Sequence, residues 1–360
     1  MSYINLVPFY LYRRITEILY MKKLILMMCA FLCVQCTGKK VANVDDTIGY
    51  DFELQEQMSF KEVAYPDLLG STMQLMKKDS FLFINEFHGD SLIHIFNLKT
   101  AQKEGNLVAS GNGPNELISP LELQIVDDNL WVLSRQLHLL NHIPFSALDE
   151  NPVLLKDGLI KSEADCFIPL DENRIVFSGF FKKRYGLMNL NDREVINEFG
   201  DYPDFWADEK DFPTEAKAMF HQSRFAINTD KHLFASCSYF VLEIYSYDSK
   251  GMDAPELKYR KQLGKYEYDF ESGGRVTATM RPGADLVSVD IVSGGEYLYV
   301  LIQDEKNRKH RNLMVLDWAG KPIKLLKSGK RITCLAVDEK EGVGYCIIQD
   351  PEDKLVSFRL

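Results

Sequence analysis

Six times along the chain a short polar turn gives way to a run of β-branched, aromatic and leucine residues. The copies are Lys78-Asp79-Ser80 before Phe81-Leu82-Phe83-Ile84, Asp128-Asn129 before Leu130-Trp131-Val132-Leu133, Glu172-Asn173 before Arg174-Ile175-Val176-Phe177, Asp230-Lys231 before His232-Leu233-Phe234-Ala235, Gly295-Glu296 before Tyr297-Leu298-Tyr299-Val300, and Glu341-Gly342 before Val343-Gly344-Tyr345-Cys346. A further apolar run lies upstream of each turn, as in residues 121–126 and 331–337, and supplies an inner strand. A second set of turns at residues 96–100, 188–192, 247–251 and 316–321 is rich in Asn, Asp, Gly and Lys. Asn and Gly tolerate positive φ and Asp bonds its own backbone, so these segments suit hairpins between third and fourth strands. Recurrence at roughly 45 to 65 residues is the spacing of propeller blades. The pattern predicts an all-β fold, a six-bladed β-propeller with four-stranded blades over residues 50–360.

The two ends of the repeat region complement each other. The last unit, residues 331–337, 343–348 and 354–360, stops one strand short of four, whereas residues 52–54 and 58–64 precede the first blade and have none of their own. An N-terminal strand completing the last blade closes the ring and removes two free sheet edges. The alternative is a large β-sandwich or two stacked β domains.

Composition fits such a body. Hydrophobic residues make up 46% and aromatics 12%, enough to pack sheets face to face, and 26% charged residues without low-complexity segments argue against disorder. Residues 21–40 have a basic start at Lys22-Lys23 and an apolar core too short to span a bilayer comfortably, which is the pattern of a secretory signal. The core ends at Cys36. This resembles bacterial lipoprotein signals, in which that cysteine is acylated and becomes the mature N-terminus, although Gln35 departs from the small residue usual before it. Residues 1–36 are therefore expected to be a leader, with translation starting at Met21, and residues 37–49 a tether. Removing the leader takes away Arg13, Arg14, Lys22, Lys23 and Glu17 and moves the formal charge from −10 to −13. Such an acidic body repels nucleic acid, so none is expected as a partner.

Four cysteines remain: Cys166, Cys237, Cys334 and Cys346. Cys334 and Cys346 are equidistant from Lys340, a spacing that permits either a cross-strand disulfide or two buried thiols.

The most distinctive short motif is Ser110-Gly111-Asn112-Gly113-Pro114-Asn115-Glu116-Leu117. Here the chain resembles six-bladed β-propeller lipoproteins of the TolB-like and NHL-like kind, where a Gly-x-Gly-Pro-x-Glu element links the outer strand of one blade to the inner strand of the next. Gly111, Gly113, Pro114 and Glu116 match it, and Asn115 stands where a glycine is frequent. The resemblance implies a propeller fold and a location in the bacterial cell envelope, periplasmic or at the outer membrane. No phosphate-binding reading applies, since no Lys-Ser/Thr pair follows the glycines. Glu116 is retained as a ligand-contact candidate at the mouth of the channel.

Two long insertions are better candidates, because binding groups ride on loops held by a rigid scaffold. The first, residues 200–221, brings Tyr202, Phe205 and Trp206; the second, residues 266–285, brings Tyr268, Arg275 and Arg281. Both are outer-to-inner connections preceding consecutive blades and should rise side by side on one face. Repeated Ser-x-Asp-x-Gly-x-Thr-Trp boxes of sialidases are missing from the sequence, and His138 and His142 stand four apart without a metalloprotease context. No catalytic residue, metal ligand or cofactor is assigned. The expected function is non-catalytic: a monomeric, lipid-anchored envelope protein that binds a protein, peptide or glycan through one propeller face. The alternative is a metal-dependent hydrolase or lactonase with an axial cation, as in related six-bladed enzymes, whose calcium is held by Asp, Asn and Glu of inner strands.

Overall fold

The computed structural model describes residues 43–360 apart from 46, 68, 149–154, 160–163, 193, 207, 249–250, 252, 273–275 and 286. The leader, Met21, Cys36, the first residues of the tether and Arg275 lie outside the described residues.

Six antiparallel sheets follow one another along the chain, spanning residues 72–117, 121–159, 164–199, 224–262, 288–330 and 332–359. We call them blades 1 to 6. Each polar turn of the first set closes the hairpin between a blade's first and second strands. Asp79, Asp127 and His232 take positive φ there, as does Gly342. Second strands such as Phe81–Glu86 and Arg174–Gly179 are buried almost throughout, because both faces of a blade meet a neighbour; they read as continuous apolar runs rather than alternating ones. Apolar clusters fill the seams, and the seam between blades 6 and 1 is packed like the others, with Leu75, Ile84 and Phe96 against Cys334, Ile347 and Leu355.

The ring closes as the chain ends require. A strand β3 (Phe60–Glu62) lies antiparallel to Asp353–Arg359 as the fourth strand of blade 6, pairing Phe60 with Phe358. The same N-terminal segment does more on its way there. Strand β1 (Asn43–Asp45) lies parallel on the outer edge of blade 4, and β2 (Gln55–Gln57) parallel on that of blade 5. Residues 43–45, expected in the tether, are thus a strand. Edge pairing of this kind uses backbone groups, and its side-chain support is an ion pair, Lys261 Nζ to Asp45 at 2.7 Å, so no apolar signal announces it. That pair and the Thr47 hydroxyl hold the Asp45 carboxyl down at about 2.

All four cysteines are buried and free. Hairpin register pairs Cys346 with Leu335, one residue from the symmetric expectation, because the turn closes at Asp338 with Val343 and so is centred between Lys340 and Glu341 rather than on Lys340. A one-residue slip moves a side chain to the other face. Cys334 accordingly packs in the seam with blade 1, and Cys346 in the seam with blade 5.

Two variants test this account of closure. Deleting residues 50–64 removes β2 and β3 and should leave a protein that melts far earlier than the parent and self-associates, read by calorimetry and size-exclusion chromatography. Gly344 pairs with Phe358, and a Cβ there would lie 2.1 Å from the Phe358 ring. Gly344→Ala should therefore destabilise by about 1–3 kcal/mol in denaturant unfolding.

Candidate functional site

The inner strands place six side chains at one level around the axis. Gln74, Glu122, Cys166, Arg224, Asp290 and Cys334, one per blade, each lie four residues before the residue that closes the inner hairpin, namely Lys78, Val126, Leu170, Asn228, Gly294 and Asp338. Gln74 Nε2 donates to Glu122 Oε1 at 3.1 Å, and Gln74 Oε1 accepts from the Leu123 amide at 2.8 Å. Asp290 accepts from the backbone N–H of Ile291 at 3.0 Å and of Leu335 at 3.3 Å, and lies 3.6 Å from an Arg224 nitrogen. Burial pushes the carboxyls of Glu122 and Asp290 up, against the pull of Arg224 on both. The Cys166 and Cys334 thiols are also pushed up by burial, so they stay protonated.

Beyond this layer the inner strands enclose a chamber of about 270 Å³. Two residues further along each strand the side chains return to the same face, and there Met76, Gln124, Ala226, Val292 and Ala336 line it. The chamber continues to the Gly294-Gly295 turn, at the opposite end of the inner strands from the insertions. Near that end an ion pair joins Lys77 to Asp338. The layer mixes a guanidinium with two carboxyls, an amide and two thiols. It is not the all-oxygen cage a hard cation needs.

The two insertions meet as expected. A short helix (Thr214–Phe220) of the first packs on a hairpin (Tyr268–Ser272 with Val276–Met280) of the second, and both pack on the blade 4 turn at Phe240. At the centre is the fully buried Glu209, which accepts from Tyr266 Oη at 2.9 Å and Tyr268 Oη at 3.1 Å, with His221 Nε2 at 2.5 Å. Burial holds the His221 imidazole below its ordinary value although Glu209 opposes this. A second knot joins blades 3 and 4: Arg184 and Arg260 both grip the buried Glu243, and Tyr185 donates to it at 2.6 Å. Burial alone would raise Glu243; the two guanidinium groups and the phenol hold it low.

The expected site residues divide between interior and surface. Tyr268 is fully buried, stacked 3.9 Å from Phe220, and so belongs to the interior of the cap rather than to a contact surface. Phe205 and Trp206 are half-buried, packed on the cap's aromatic cluster. Tyr202 donates to the Phe181 carbonyl at 3.1 Å. Arg281 lies over the Trp206 ring at 5.3 Å and is bonded to Glu267 and Asp269 at 2.9 and 2.6 Å. Glu116 does not line the chamber. It stands on the short strand added outside blade 1, and its Oε2 accepts from the Gly113 amide at 2.7 Å. A Cβ at Gly111 would lie 2.1 Å from that oxygen, so the glycines of the motif make room for the carboxylate. Glu122, Arg224 and Asp290 were not recognised from sequence, since inner strands were read as apolar; counting back from each hairpin turn would have aligned them.

A family model described as "TolB-like 6-blade propeller-like" matches residues 52–340. Among solved structures the fold is similar to a protein from Bacteroides fragilis named as an inferred exported protein, with a TM-score of 0.53 and 10% identity over 85% of this chain and 98% of that one. It is also similar to a member of the DUF4221 family from Bacteroides vulgatus, with a TM-score of 0.50 and 12% identity over the same shares. No curated protein matches the sequence.

The raised Glu122 carboxyl has a measurable consequence. Between the ordinary glutamate range and its raised folded value, the folded state holds a proton that the unfolded chain has released, so this group makes stability fall as pH rises. Glu122→Gln keeps the shape and removes the titration. The variant should match the parent near pH 4 and exceed it by about 1 kcal/mol at pH 8 in urea unfolding.

Proposed function

The chain belongs to the TolB-like six-blade propeller family, and from that premise we propose that it is an exported binding protein, held to the cell envelope by a lipid on Cys36, that engages a protein, peptide or glycan through the face carrying the two insertions. The observation that carries this reading is the fusion of those insertions into one cap with a bonded interior. A surface that is ordered before its partner arrives loses little entropy on binding. Its outward residues are of the kinds that dominate interfaces: Trp206 beneath Arg281, together with the exposed Tyr239 and Met280.

Three acidic groups of the cap are committed to holding it together. Glu209 takes two tyrosine hydroxyls and faces His221, and Glu267 and Asp269 hold Arg281. That arrangement favours recognition over chemistry. Export is supported by the signal pattern ending at Cys36, and the name of the Bacteroides fragilis neighbour points the same way.

Each part has its own test. Cys36→Ser should move the protein from the membrane to the soluble envelope fraction with its melting temperature unchanged; continued membrane association would refute acylation at that residue. Tyr239→Ser and Met280→Ser replace exposed groups, so stability should stay within about 0.5 kcal/mol of the parent. Capture of a partner from envelope extract should nevertheless weaken by about tenfold for each if the cap is the binding face. Full capture by both variants would move the face elsewhere.

A further inference from the structure

The axial chamber runs from the polar layer to the end of the inner strands opposite the cap, and its polar groups are incompletely used. The Arg224 guanidinium, about 31% exposed, has Asp290 at 3.6 Å and makes no hydrogen bond to any described residue. Gln124, on the chamber wall and 6% exposed, likewise makes no side-chain hydrogen bond among the described residues. Glu122 is 4% exposed and receives Gln74, with the Cys166 thiol also in reach. A guanidinium offers five donors and an amide two donors and an acceptor, and here both are left with groups facing the chamber. Their convergence on one chamber points to a ligand.

The unused groups decide its class. An ammonium has donors only: it would satisfy Glu122 but leave Arg224 unbonded, with two cations side by side. A carboxylate has acceptors only; it would suit Arg224 but bring a third acid to Glu122 and Asp290. A hydroxyl both donates and accepts, and two neighbouring hydroxyls could accept from Arg224 and Gln124 while donating to Glu122. The apolar wall of Met76, Ala226, Val292 and Ala336 suits the carbon skeleton that carries them. At about 270 Å³ the chamber sits just below the roughly 300–1,000 Å³ usual for small-molecule sites, which limits the ligand to about one ring. We infer that the axial chamber is a second binding site, separate from the cap, for a small neutral polyhydroxylated ligand of monosaccharide size, held by Arg224, Gln124 and Glu122.

The test titrates the full-length chain at millimolar concentration with D-glucose, D-galactose, D-mannose and myo-inositol, and with n-butylamine and propionate as charged probes, by calorimetry. At least one neutral polyol should bind saturably, and neither charged probe should. Gln124→Leu removes no hydrogen bond found among the described residues and should fold normally. It should weaken polyol binding by about tenfold, as should Arg224→Met. Binding of the amine or propionate instead, no binding by any of the four polyols, or polyol binding unchanged in Gln124→Leu would each overturn the inference. Should Arg224→Met fail to fold, Gln124→Leu still decides. Tyr239→Ser in the cap should leave polyol binding untouched, so failure of the cap reading and failure of this one are told apart.

Discussion

Backbone pairing of the N-terminal segment on the outer edges of the last three blades is the constraint on which closure of the ring depends. A blade is a small twisted sheet whose inner strand is sheltered at the axis and whose outer strand ends in a row of free N–H and C=O groups. The N-terminal segment meets this need three times, lying parallel on blades 4 and 5 and then supplying the last strand of blade 6. A two-residue strand after the Gly-x-Gly-Pro turn does the same for blade 1. The turn's conformation is set by Glu116, which folds back on the loop, so a motif that looks like a ligand loop serves an edge.

Closure also makes the six inner strands equivalent. Because every inner hairpin turns at the same height, residues at one offset share a level, and their chemistry sums across blades far apart in sequence. The polar layer arises in this way: no pair among Gln74, Glu122, Arg224 and Asp290 is close along the chain, yet Gln74 donates to Glu122 and Arg224 faces Asp290. The insertions obey a different logic. Their aromatics cover one another and blade 4, and only the residues left at the rim can serve recognition.

Blade count, hairpin positions, closure by an N-terminal strand and the meeting of the two insertions were legible in the sequence, because each depends on local turn chemistry or on the count of strands. The parallel strands β1 and β2 were not, since backbone pairing at an edge leaves no pattern of side chains. Tyr268 was misjudged for a related reason: sequence shows an aromatic on a loop, and only packing tells whether it supports the loop or faces outward. The relation of Cys334 to Cys346 turned on the hairpin turn having an even rather than an odd number of residues, which spacing alone does not decide. The axial chamber needed the register of six hairpins at once, information present in the chain but not in any one segment of it.

The N-terminal segment also orders events in time. Lys61 and Ser357, joined by a side-chain hydrogen bond across the closing pair, are 296 residues apart. As the chain emerges from its N-terminus, β3 has no partner until the last strand arrives, so it waits longest of the three N-terminal strands. Contacts of such long range come late and slowly. The N-terminal segment is therefore taken up stepwise, β1 by blade 4, β2 by blade 5 and β3 last by blade 6, and until then its apolar residues, Met58 and Phe60 among them, stand without the blades they pack on.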